Sequence, residues 1–189
     1  MSFPDVPDLG EEWSLAERDR ETLFALPTSS VRGYTVIYED EPLREAITRT
    51  VSGAGDQPWR FLFATRLEFV PPLAPGIGPA SMYPTVLSEA RRSFADDLRE
   101  RGFADVERGR GERMRTHAGN RARLTKYTAR FPVGFADEPI PVEAWLAVFV
   151  VGSEFRLAGG AFPTSLPIDV EVDRSRYRSE LIDLIRRVD

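Results

Sequence analysis

The sequence predicts an α+β fold, an antiparallel β-sheet flanked by helices on both faces, and two observations carry that prediction. The first is residues 144–162, where two apolar runs are separated by Gly152-Ser153, a two-residue loop suited to a type II′ turn. The second is the order of the elements: strands joined by short turns or a loop, with helical patterns before, between and after them. Runs of hairpins with helices at both ends give an antiparallel sheet covered by helices.

The hairpin organises the rest. A two-residue turn sets Val150 opposite Phe155, Val148 opposite Leu157, Leu146 opposite Gly159 and Ala144 opposite Ala161. Opposed residues share a face, so this face carries no polar side chain. The other face holds Trp145 opposite Gly160, Ala147 opposite Ala158 and Phe149 opposite Arg156, and it is mostly apolar too. Layers above and below must therefore bury it. The glycine pair inside the hairpin suits close packing of Trp145 and a helix.

Taken in order, residues 1–12 are rich in Pro, Gly and acid and predict a loose, flexible tail. Residues 13–189 then form one domain. Ser14 with Glu17 makes a capping-box pattern before Leu15 to Leu26, which predicts a short helix ended by Pro27. Val31 to Tyr38 is β-branched and aromatic, hence a strand. Asp40, Glu41 and Pro42 open a helix with acids at the positive end of its dipole. Leu43, Ala46, Ile47 and Val51 form its apolar stripe, and Ser52-Gly53-Ala54-Gly55 stops it.

Trp59, Phe61, Phe63, Leu67 and Phe69 alternate with Arg60, Leu62, Arg66 and Glu68, a period-two strand with a core face. Pro71 to Pro84 reads as a long loop at the mouth of any pocket. Thr85 to Arg101 is a helix with Val86, Ala90, Phe94 and Leu98 on one stripe, closed by a Schellman stop at Gly102 and Phe103. Three strands follow, at about 103–108, 112–117 and 121–131, with turns at Gly109 to Gly111 and at Ala118-Gly119-Asn120. After the organising hairpin, Asp173 caps a last helix whose stripe is Tyr177, Leu181, Leu184, Ile185 and Val188.

This element order, with a long loop before the main helix and a closing hairpin, resembles the PsbP-like αβα sandwich over residues 28–188. That resemblance implies an accessory or binding role, since the fold serves photosystem accessory proteins and a nuclear-import factor that binds a small GTPase. The chain also looks like uncharacterised haloarchaeal proteins.

Composition narrows the classes. The longest apolar run, about Ala144 to Val151, falls well short of the ~20 residues that span a bilayer. The acidic N-terminus shows no basic start or apolar core of an export signal, so a cytoplasmic protein is expected. No cysteine is present, which excludes disulfides and thiolate metal sites. Of 25 basic side chains all but Lys126 are arginines, and the 30 acids outnumber them. That bias points to a GC-rich, salt-adapted source, a halophilic archaeon, although GC-rich bacteria share the arginine bias.

No motif specifies a reaction. A Ser-His-Asp site would have to use the single histidine, His117, and no Gly-x-Ser-x-Gly elbow accompanies it. Asp169, Glu171 and Asp173 alternate like a carboxylate cluster for a hard cation. They lack the turn glycine and carbonyl pattern of an EF-hand, and read better as a solvated edge. Ala74 to Pro79 has glycines but no Gly-Lys-Ser/Thr, so no phosphate loop is matched. No catalytic residue, cofactor or metal ligand is assigned.

The charge distribution is the one distinctive feature. Residues 99–130 carry ten Arg or Lys against four acids, a balance of +6, so a total of −5 leaves −11 elsewhere. The candidate anion-binding residues are Arg108, Arg110, Arg113, Arg115, Arg121 and Arg123. By strand parity Arg113 and Arg115 share a face, as do Arg121 and Arg123 on the next strand. Two functions follow: a non-catalytic binding or accessory domain for a protein or small-ligand partner, or a binder of nucleic acid or an anionic ligand through residues 108–130. A hydrolase ranks third.

Overall fold

The computed structural model describes residues 2–6, 8–54 and 57–188. Gly55, the last residue of the expected helix stop, lies outside them, as do Met1 and Pro7 of the expected tail. Among the described residues, seven strands, β1 (Trp13–Ala25), β2 (Ser30–Asp40), β3 (Phe61–Val70), β4 (Ala104–Arg115), β5 (Arg121–Phe131), β6 (Ile140–Val151) and β7 (Glu154–Pro163), form one sheet. Its order is β1-β2-β3-β7-β6-β5-β4, with every neighbouring pair antiparallel. Three helices accompany it among the described residues: α1 (Glu41–Thr50), α2 (Pro79–Glu100) and α3 (Arg174–Arg187). The architecture is α+β.

The organising hairpin is β6 and β7, at the centre of the sheet, and its register is the one the turn dictates. Gly152 takes φ +61° while Ser153 has no positive φ, the type II′ pattern. Trp145, Leu146, Val148, Phe149, Phe155 and Phe162 are all buried. Gly160 is required by close approach: a methyl group there would stand 2.8 Å from Leu181 Cδ1 of α3, and closer still to the Phe61 carbonyl oxygen. Phe94 of α2 packs against Phe63 and Tyr127, at 5.5 and 5.1 Å between ring centroids. Tyr177 of α3 meets Phe162 edge-on. Asp40 and Asp173 cap α1 and α3 as expected, accepting from the amides of Leu43 and Arg176. The Schellman stop of α2 also forms, with Phe103 N bonded to Leu98 O and Gly102 N to Arg99 O. Before β1, Pro4 is buried and Phe3 stands edge-on to Tyr34.

Three expectations are corrected. Residues 15–26, read as a helix, belong to β1, which pairs along its whole length with β2 from Trp13 with Asp40 to Ala25 with Ser30. Glu17, Asp19 and Glu21 lie on one side of this strand, and Arg18 and Arg20 on the other, where they stack over Phe3 and Tyr34. That is a period of two in charge, and strand pairing outweighs a capping-box pattern. The glycines at 109 and 111 mark no turn. β4 runs through them with an irregularity in register between Arg108 and Gly111, so two expected strands are one. Gly111 leaves room for the Arg91 guanidinium of α2, since a Cβ there would stand 2.7 Å from its Nη2 and the side chain would have to shift. Finally, the loop after Pro71 ends at Gly78, and α2 contains Pro84 within it. Pro79 begins the helix with a preset φ, and Tyr83 anchors the next turn by donating its Oη to Val148 O at 2.6 Å.

Candidate functional site

The β4–β5 hairpin settles where the arginines go. Arg113 stands directly opposite Arg123, and Arg115 opposite Arg121, around the turn in which Gly119 takes φ +89°. Directly opposed residues share a face, so four guanidiniums lie together. Arg113, Arg115 and Arg121 are exposed and Arg123 is half-buried. Arg115 Nη1 donates to Gly119 O at 2.9 Å. Among the described residues, none of the four is in an ion pair. Like charges directly opposite one another are destabilising, and no acid among the described residues pairs with them.

These four line a wide, open groove of about 1310 Å³ whose other wall is the start of α2, with Pro79, Ala80, Tyr83 and Pro84. The α2 N-cap, Gly78, contributes no side-chain hydrogen bond, and no acid sits in the first helical turn. The positive end of the helix dipole therefore adds to the arginines. Burial pushes the Tyr83 phenol up, partly offset by Arg123. Among the described residues no carboxylate or imidazole lines the groove. It offers charge and shape for an anion.

The other two candidates stand apart from this group. Arg108 lies opposite Tyr127, farther along the same hairpin. Burial pushes the Tyr127 phenol up to about 12, with Arg108 and Arg91 acting the other way. Arg110 falls in the irregular stretch between Arg108 and Gly111, without a cross-strand partner. Sequence reasoning overlooked Arg91, whose Nε donates to Thr125 Oγ1 at 2.9 Å beside Gly111. His117 is exposed, with Nε2 at 3.4 Å from Asp183 Oδ1. Asp169, Glu171 and Asp173 are exposed, and among the described residues no three carboxylate or imidazole groups gather to hold a metal.

Two buried charge clusters were also missed. Glu143, 1% exposed, accepts from Trp145 Nε1 at 3.0 Å, Arg178 Nε at 2.7 Å and Arg174 Nη2 at 2.9 Å, with Lys126 Nζ at 3.2 Å. Burial alone would raise its carboxyl, but the hydrogen bonds from Arg178, Arg174 and Lys126 outweigh it and hold it at about 2. Arg60 lies between the rings of Trp13 and Tyr177, at 4.9 and 4.2 Å, and bonds Asp40 at 2.8 Å and Glu180 at 2.5 Å. An acid two residues before a tryptophan in an apolar strand was the available signal for the first. Both clusters tie α3 to the sheet. No curated protein matches the chain. A family model described as Domain of unknown function (DUF6517) matches residues 4–189, and the chain belongs to that family.

Proposed function

We propose that the protein is a non-catalytic binding domain whose ligand is a multiply charged anion, phosphate- or carboxylate-bearing, held in the arginine groove. The observation that carries this reading is the pair of directly opposed arginines, Arg113 with Arg123 and Arg115 with Arg121, unrelieved by any acid among the described residues. Guanidinium forks match phosphate and carboxylate oxygens bidentately, and an anion between them turns mutual repulsion into attraction. The uncapped start of α2 adds a second source of positive potential. Among the described residues, Tyr83 is the single aromatic lining the groove. That favours a compact anion over single-stranded nucleic acid, which needs successive stacking platforms.

The same reading extends to the architecture. We take the sheet to be covered on both faces, as an αβα sandwich of the PsbP-like kind. The packing of Phe94 of α2 on Phe63, and of Leu181 of α3 at Gly160 on the opposite face by strand parity, supports it. A binding role resting on fold alone is weak. The groove gives it a specific site.

The test is calorimetric titration of the wild type with tripolyphosphate and with a single-stranded oligonucleotide at about 50 mM salt. Tripolyphosphate is expected to bind and the quadruple variant Arg113→Ser, Arg115→Ser, Arg121→Ser, Arg123→Ser to lose it with its melting temperature unchanged or higher. Failure of the wild type to bind any polyanion at that salt removes the proposal. Tighter oligonucleotide than tripolyphosphate binding, with a salt slope near −3 for about four contacts, would shift the assignment to nucleic acid.

A further inference from the structure

A second cavity, of about 260 Å³, lies under α2 away from the arginine groove. Its floor is apolar, made by Phe61 and Phe63 of β3, Leu146 of β6 and Leu157 of β7, all buried. Thr35 and Thr65 add a hydroxyl pair 2.8 Å apart. One of those hydroxyls donates to the other, so one hydroxyl hydrogen stays free to turn to a ligand. The charged groups around it are one-sided. Among the described residues, Asp19 and Glu21 of β1 and Asp97 and Glu100 of α2 stand against a single cation, Arg101, which already lies 3.7 Å from Glu17.

Asp97 is the telling residue. It is half-buried and, among the described residues, has no side-chain hydrogen bond or ion pair. Burial, with Glu21 next in effect, pushes its carboxyl up to about 6, against the pull of Arg101. A carboxylate placed there with only Arg101 to offset its burial is costly to the fold, and a further cation is the species that relieves it. The arrangement of an apolar floor and acidic walls is complementary to an amphiphilic cation.

We propose that this cavity is a binding site for a small organic ammonium, its apolar body on Phe61, Phe63, Leu146 and Leu157 and its charged head between Asp97 and Glu21. The volume lies just below the roughly 300–1,000 Å³ of drug-sized sites, which limits the body to about one ring. The site is independent of the arginine groove and takes the opposite charge.

The probes are 2-phenylethylammonium and its neutral analogue 2-phenylethanol, titrated against the full chain at pH 7 with chemical-shift or calorimetric readout. The ammonium is expected to bind at least tenfold more tightly, and Asp97→Asn and Glu21→Gln each to reduce that preference several-fold. Asp97→Asn removes an unfavourable charge, so lost binding in that variant is not a symptom of unfolding. The quadruple arginine variant is expected to bind the ammonium as the wild type does. Equal affinity for the two probes, no saturable ammonium binding, or an unchanged preference in Asp97→Asn overturns the proposal.

Discussion

Replacing Glu143 by Gln takes one negative charge from the middle of three cations and leaves the shape in place. The amide resembles the protonated carboxyl, so the pKa shift gives the size of the effect directly. The carboxyl sits at about 2 in the folded chain against an ordinary 4.5. At 1.36 kcal/mol per unit this is about 3 kcal/mol of stability at neutral pH. A depressed folded pKa means the stabilisation is complete above about 4.5 and is lost as pH falls through that value toward 2. The assay is urea denaturation of wild type and Glu143→Gln at pH 7 and at pH 3. With an m-value of about 2 kcal/mol/M, the midpoints are expected to differ by about 1.5 M at pH 7. The free-energy gap should shrink to less than half at pH 3. A gap below about 1 kcal/mol at pH 7, or an equal gap at both pH values, refutes the reasoning. Glu143→Ala is expected to cost more than the Gln variant, because it also strands the buried indole N–H of Trp145.

Other perturbations test the packing and the remaining electrostatics. Trp145→Ala removes a ring that is 4% exposed and should cost about 3–5 kcal/mol in the same titration; a loss under about 1 would place the ring in solvent. Gly160→Ala puts a methyl into the Phe61 carbonyl and Leu181, so its chemical denaturation midpoint should fall clearly below wild type, and an unchanged midpoint would mean the two chains do not approach as described. Asp97→Asn should stabilise at pH 7 by about 1 kcal/mol, the roughly 3 kcal/mol that the shift corresponds to being reduced by solvent screening of a half-exposed carboxyl. Because the folded pKa is raised from 3.8 to about 6, its advantage grows as pH rises between those values and disappears below the lower one; the opposite trend defeats the assignment. In hydrogen exchange, residues 72–78 should exchange early and Tyr83 onward later, since α2 begins at Pro79; early exchange through 84 would restore the longer loop.

Much of the fold was legible because its strongest signals are local. The hairpin register followed from two residues, since a two-residue turn leaves one pairing that keeps both apolar runs in step. The helix stripes at Val86, Ala90, Phe94 and Leu98, and at Tyr177, Leu181, Leu184 and Ile185, were readable for the same reason, and all are buried. What misled was sequence that two structures can share. Ser14 and Glu17 suit a capping box, yet Glu17 to Glu21 alternates in charge as an edge strand does. Glycines at 109 and 111 suit a turn, yet here they relieve an irregular strand beneath Arg91.

By itself the sequence determined the α+β class, the central hairpin, the caps and the basic bias of residues 99–130. Each depends on neighbours within a few positions, where spacing fixes geometry. Tertiary structure alone decided which guanidiniums face one another, because that depends on the register of β4 with β5 and on a turn whose effect on facing parity could not fix. It also decided that Glu143 and Arg60 are buried, since each takes partners from α3, 31 to 120 residues away. Long-range charge pairing leaves no periodic trace in the chain. The cavity under α2 arises the same way, between a helix and strands from both ends of the sequence.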